Sequence, residues 1–128
     1  MKRIFFLCFL ALASCTVTMA QTTAPTNNQA DLKILFNSAT SKYDAGILRN
    51  NQTMANAGFT EAMSVITNSI TQLTQQMNSA SSQVNKAAIS AKITTQTQLK
   101  NDLLALQNNI TGNAVTIQNK FGAFKATL

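Results

Sequence analysis

The chain has 128 residues, enough for one domain, with a formal charge of +6 and only 11% charged residues. It has no His, and its two cysteines, Cys8 and Cys15, both lie near the N-terminus. Everything downstream of residue 15 therefore lacks the commonest general base, the Ser-His and Cys-His nucleophile pairs, and imidazole or thiolate metal sites.

The first element is a leader. Met1-Lys2-Arg3 is a short cationic start, and Ile4 to Ala13 is an unbroken apolar run of ten residues. Small and polar residues follow. This is the anatomy of a secretory signal peptide, and the run is too short to cross about 30 Å of hydrocarbon as a helix. Two processing routes are open. Thr18-Met19-Ala20 places small residues before a cleavage point between Ala20 and Gln21, which makes residues 1–20 the signal peptide. Alternatively, Leu12-Ala13-Ser14-Cys15 resembles the lipobox of bacterial lipoproteins. That resemblance covers four residues and their place at the end of the apolar run. It implies removal of residues 1–14 and lipidation of Cys15 as the new N-terminus. Either route predicts an exported protein of the periplasm, cell envelope or extracellular space, with no disulfide framework.

Residues 21–28 carry the only proline, Pro25, and no apolar run, and are predicted to form a flexible tether. Asn28 then stands three residues before Asp31 and just ahead of Leu32, an N-cap arrangement that starts a helix. Phe36, Ala39, Tyr43, Ile47, Met54 and Ala57 continue on one helical stripe, interrupted by Asn50. The stripe loses phase at Gly58, a usual helix stop, so the first helix is predicted over 29–56, with Thr60 capping the next.

The second helix, predicted over 60–93, carries the clearest pattern. Phe59, Met63, Ile66, Ile70, Leu73, Met77, Ala80, Val84, Ala87 and Ala91 alternate spacings of four and three. This is a heptad seam, flanked by Thr, Asn, Gln and Ser rather than by the charged residues that select coiled-coil partners. A third helix is predicted over 97–126. Its seam is Leu99, Leu103, Leu106, Ile110, Asn113, Ile117, Phe121, Phe124 and Leu128, after a slip of phase across Thr94-Thr95-Gln96-Thr97. These weak helix formers predict a turn or kink, with a single long helix as the alternative because no Gly or Pro enforces a break. Ser79 to Ser82 is a rival turn, and Gly112-Asn113 a point where the last helix ends or bends.

Ordering the backbone costs about 1–2 kcal/mol per residue, while burying one Leu or Ile returns about 1.5–3 kcal/mol. With two seam residues in seven, these helices cannot stand alone in water. The predicted fold is all-α, an elongated antiparallel helical hairpin or three-helix bundle with coiled-coil-like seams over residues 29–128. Scarce aromatics argue for a thin packing rather than a thick core.

No catalytic, cofactor-binding or metal-binding residue is assigned, and the protein is not expected to be an enzyme. After Ala20 the carboxylates are Asp31, Asp44, Glu61 and Asp102, too dispersed in sequence to form a catalytic pair unless the fold gathers them. Eight cations face these four acids, and no cationic run marks a nucleic-acid surface. The glycosylation-type triplets at Asn51 and Asn109 are ordinary in an Asn- and Thr-rich chain. The expected role is a structural or protein-interaction module of the bacterial envelope, joined through its helices to a protein partner or to its own copies. Membrane association is expected only through a lipid on Cys15. A periplasmic holdase and a secreted membrane-active protein are the alternatives.

Overall fold

The computed structural model describes residues 28–128. The leader, Cys15, Ala20, Gln21 and the tether up to residue 27 lie outside the described residues. The described chain is an all-α helical bundle: α1 (Gln29–Leu48), α2 (Gln52–Ser79), α3 (Gln83–Leu106), a 3-10 turn (Gln107–Asn109) and α4 (Ala114–Lys125). The helices α1 and α2 form the most extensive packed pair, α3 folds back along α2, and α4 returns across α3 and α1.

α1 begins where its cap residue places it. The Asn28 side-chain oxygen accepts from the Asp31 backbone N–H at 2.9 Å. It ends earlier than the periodicity predicts. Asn50 adopts the left-handed conformation at φ 53°, and Asn51 caps α2 by accepting from the Met54 N–H at 3.0 Å. Asn is the non-glycine residue best suited to the first task and a leading choice for the second. The predicted helix over 29–56 is thus two helices joined at Arg49-Asn50-Asn51.

Gly58, expected to be a helix stop with Thr60 as the next cap, is instead buried inside α2. A Cβ there would meet the Tyr43 backbone N at 2.3 Å and the Ala39 carbonyl at 2.8 Å. Gly46 on α1 is in the same position against Ala55, whose backbone N would be 2.3 Å away. The glycines mark where the backbones of α1 and α2 touch, and the small residues Ala39, Ala55 and Ala62 are fully packed around them.

The second correction concerns the predicted helix over 60–93. It breaks at Ala80-Ser81-Ser82, where Ala80 and Ser82 are extended. The turn thus falls at the rival site, Ser79–Ser82, and the slip of phase at residues 94–97, where a turn or kink was the first expectation, lies within α3. There Thr94 and Thr95 bond back to the carbonyls of Ser90 and Ala91, while Gln96 turns inward. The predicted helix over 97–126 is divided as well: α3 ends at Leu106, and α4 starts after the Gly112-Asn113 pair. In that connection the Asn109 side-chain oxygen accepts from the Gly112 N–H at 3.0 Å.

The core gathers all five aromatic residues downstream of the leader. Phe36 packs against Phe124 with the rings tilted by 52° at a centroid distance of 4.8 Å and meets Phe121 edge-on at 5.6 Å. Tyr43 meets Phe121 edge-on at 5.4 Å, and Phe59 closes the group against Tyr43 and Phe121. Edge-to-face pairs of this kind add about 0.5–1.5 kcal/mol each beyond area burial. The few aromatics are thus concentrated in one dense focus where α1, α2 and α4 meet.

Candidate functional site

The structure places the seam residues unevenly. Phe59, Ile66, Leu73, Leu99, Leu103, Ile110, Ile117, Phe121 and Phe124 are buried. Met63, Ile70 and Leu106 are partly buried against that core, and Met77 is half-buried near the end of α2. Val84 departs from the pattern: 77% of its surface is exposed. The chain reverses at residues 80–82, so the heptad that runs down α2 does not continue into the packed face of α3. At about 100° per residue, Val84, Ala87 and Ala91 fall on the side of α3 opposite Ile89, Ile93, Gln96 and Leu103.

The carboxylates stay apart in their roles. Asp31 sits in the first turn of α1, favourable for its charge. Asp44 accepts from Gln118 at 2.8 Å, Glu61 pairs with Lys42 at 2.5 Å, and Asp102 pairs with Lys120 at 2.6 Å while accepting from Gln98 at 2.8 Å. The bonds from Lys120 and Gln98 hold the Asp102 carboxyl below its usual range. Among the described residues no group of three His, Cys, Asp or Glu side chains could hold a metal ion.

Two buried polar devices went unforeseen. Gln96, wholly inside, accepts from the Ser69 hydroxyl at 2.8 Å and donates to Thr127 at 2.9 Å, tying α2, α3 and the C-terminal turn together. Tyr43 donates its hydroxyl to the Ile110 carbonyl at 2.7 Å, pinning α1 to the connection between α3 and α4. Burial, with the neighbouring Asp44 charge second, pushes the Tyr43 phenol up to about 12. Every buried side-chain polar atom among the described residues has a partner, so the interior holds no unspent polar group aimed at a ligand.

What remains are surfaces. A groove of about 390 Å³ runs between α2 and the end of α3, with Phe59, Met63, Leu104 and Ile110 along it and amides from Asn56, Gln107 and Asn108 at its margins. The second surface is the α2–α3 tip. Gln29 and Leu32 at the start of α1 line one recess with Ser69, Leu73, Gln76 and Gln96. This sets the level at which α1 begins. Residues 83–93 of α3 extend past that level, roughly 15 Å at 1.5 Å per residue, alongside the last two turns of α2. Here Val84, Ala87, Ala88 and Ala91 are exposed. A shallow groove of about 460 Å³ between Met77, Asn78, Gln83, Lys86, Ala87 and Ser90 opens on one side of the tip.

Among the described residues, no helix is long and apolar enough to cross a membrane. No known protein family, curated protein or solved structure matches the chain.

Proposed function

We propose that this protein is an exported, non-enzymatic helical module of the bacterial cell envelope that works by contact, with the α2–α3 tip as its contact surface. The observation that carries this reading is the second apolar stripe of α3. Val84, Ala87 and Ala91 keep helical spacing yet face away from the bundle, on the part of the hairpin that projects beyond α1. An ordinary surface helix has one apolar stripe, turned to its core; a second on the outer face supports a contact made outside this chain. The leader supports export, through cleavage after Ala20 or through lipidation at Cys15.

The test is site-specific photo-crosslinking in cells that express the full chain. A crosslinker at Val84 is expected to give a discrete adduct in the envelope fraction, while one at exposed Asn119 on α4 gives none. Equal labelling from both positions, or none from Val84, would sink the assignment of the tip.

A second reading, a periplasmic holdase, is supported by the groove beside Phe59 and Met63, where an aromatic ring and a flexible thioether border a cleft between helices. It requires that the purified mature chain suppress aggregation of a denatured client, and that Met63→Gln abolish the effect.

A further inference from the structure

We infer that the outer face of α1 is a self-association surface, on which a second copy of the chain packs antiparallel to the first. This goes beyond the proposed contact at the α2–α3 tip and does not rest on it, because the face lies on a different helix.

The face begins with a second apolar pattern. Ile34, Ser38, Ser41, Ala45 and Leu48 alternate spacings of four and three, as a helical seam does. At about 100° per residue they share an arc of roughly 80°. That arc is opposite Leu32, Phe36, Ala39 and Tyr43, which face the core. Ile34 is 67% exposed and Leu48 88%. The bond from Gln118 to Asp44 brings α4 alongside α1, and one turn beyond it on each helix stand Leu48 and the exposed Val115. Large side chains therefore occupy the ends of the face, with small ones between them. In an antiparallel pair crossing near residue 40, Ile34 of one copy lies over Ala45 of the other, and Ser38 over Ser41. Leu48 lies across the other copy's first turn, beside Ala30. Bulk meets a gap at each end.

Charge sets the direction. Asp31 and Arg49 stand at opposite ends of the face, both about 60° from Ile34 on the flank toward α2. Arg49 keeps the helical register, since its N–H still bonds the Ala45 carbonyl. Neither residue has an ion-pair partner among the described residues. In an antiparallel pair like flanks meet, so Asp31 of each copy comes level with Arg49 of the other, twice by the twofold symmetry. Packed parallel, Asp31 would stand beside its own counterpart. The other charges agree. Lys42, midway along the α2 flank, is neutralised by Glu61. On the α4 flank Lys33 and Lys125 lie toward the start of α1 and Asp44 toward its end, so opposite signs meet there too. The C-terminal residue Leu128 accepts from Gln29 and adds its carboxylate at the Asp31 end.

The footprint is about 30 Å by 10 Å on each copy, on the order of 600 Å² in total, where stable interfaces bury about 1,200–2,000 Å². The dimer is therefore reversible and not obligate.

Sedimentation equilibrium of the chain from Gln21 onward, between about 10 µM and about 1 mM, is expected to show monomer and dimer in exchange. Asp31→Arg and Arg49→Asp should each weaken association about tenfold, and the two together should restore it to within about threefold. Leu48→Gln should also weaken it about tenfold. Val84→Gln, on the tip, should leave it unchanged. All four positions are exposed, and circular dichroism verifies that each variant keeps its helices. A monomer throughout the range, a dimer indifferent to Leu48→Gln, a double variant that recovers nothing, or a dimer lost with Val84→Gln would each overturn the inference. Crosslinking from Val84 in cells reads the tip alone, so failure of either surface is seen separately.

Discussion

Tyr43 shows how much a single side chain decides. Its ring joins three helices in the aromatic focus, and its hydroxyl fixes the Ile110 carbonyl from across the core. In the folded protein the phenol titrates at about 12 rather than 10, so the raised value favours folding only while the phenol is protonated. That contribution is whole below pH 10, where neither state ionises. It is lost between pH 10 and 12, as the unfolded chain releases its proton first. The loss is on the order of 3 kcal/mol. Tyr43→Phe should cost about 1–2 kcal/mol at neutral pH by orphaning the carbonyl, and should flatten the decline above pH 10. Urea unfolding of both proteins from pH 7 to 11.5 or so, within the range set by those values, checks the two parts separately.

The glycines divide at the same scale. Gly58→Ala drives a Cβ into the backbone of α1, and should destabilise by about 1–3 kcal/mol despite the better helix propensity of Ala. A Cβ at Gly122 meets nothing within 4 Å, so Gly122→Ala should stabilise by about 0.5–1 kcal/mol. Thermal unfolding that gave both substitutions the same sign would refute the account of the α1–α2 contact.

At the scale of elements, the helical character and much of the buried set were legible, because apolar spacing of three and four reports which face a helix hides. Phe59, Ile66 and Leu73 on α2, and Leu99 and Leu103 on α3, follow that rule. The breaks were legible in part: Ser79–Ser82 stood as a rival turn and Gly112-Asn113 as an end or bend, and the helices do part at both, but the turn between α1 and α2 was hidden for reasons of local chemistry. Gly58 suggested a stop because glycine ends helices, but the same missing side chain permits close approach of two backbones. The actual turn used Asn50 and Asn51, whose signal was only an interruption in a stripe. At residues 80–82 nothing disturbs the pattern, since Val84 and Ala87 keep the spacing on a face that the fold leaves in solvent. Gln96 looked like a fault in the periodicity and is instead a buried polar residue with two partners. Asn51→Ala should cost about 1 kcal/mol through loss of the α2 cap. Local stability should also grade along α3: the amides of residues 86–92 should exchange with solvent well before those of residues 99–105, which pack on the core. Uniform protection along α3 would mean that the tip is covered rather than projecting.

For the whole molecule, the proposed function joins a leader read from the sequence as an export signal to a projecting tip proposed as the contact surface, while the described interior has its polar groups paired and its aromatics packed together. The most direct measurement is the intact mass of the protein recovered from cytoplasmic, membrane and periplasmic fractions of cells that express the whole chain. The account predicts a shortened species outside the cytoplasm, starting either at an acylated Cys15 in the membrane fraction or at an unmodified Gln21 in the periplasm. An unprocessed chain from Met1, confined to the cytoplasm, would contradict it.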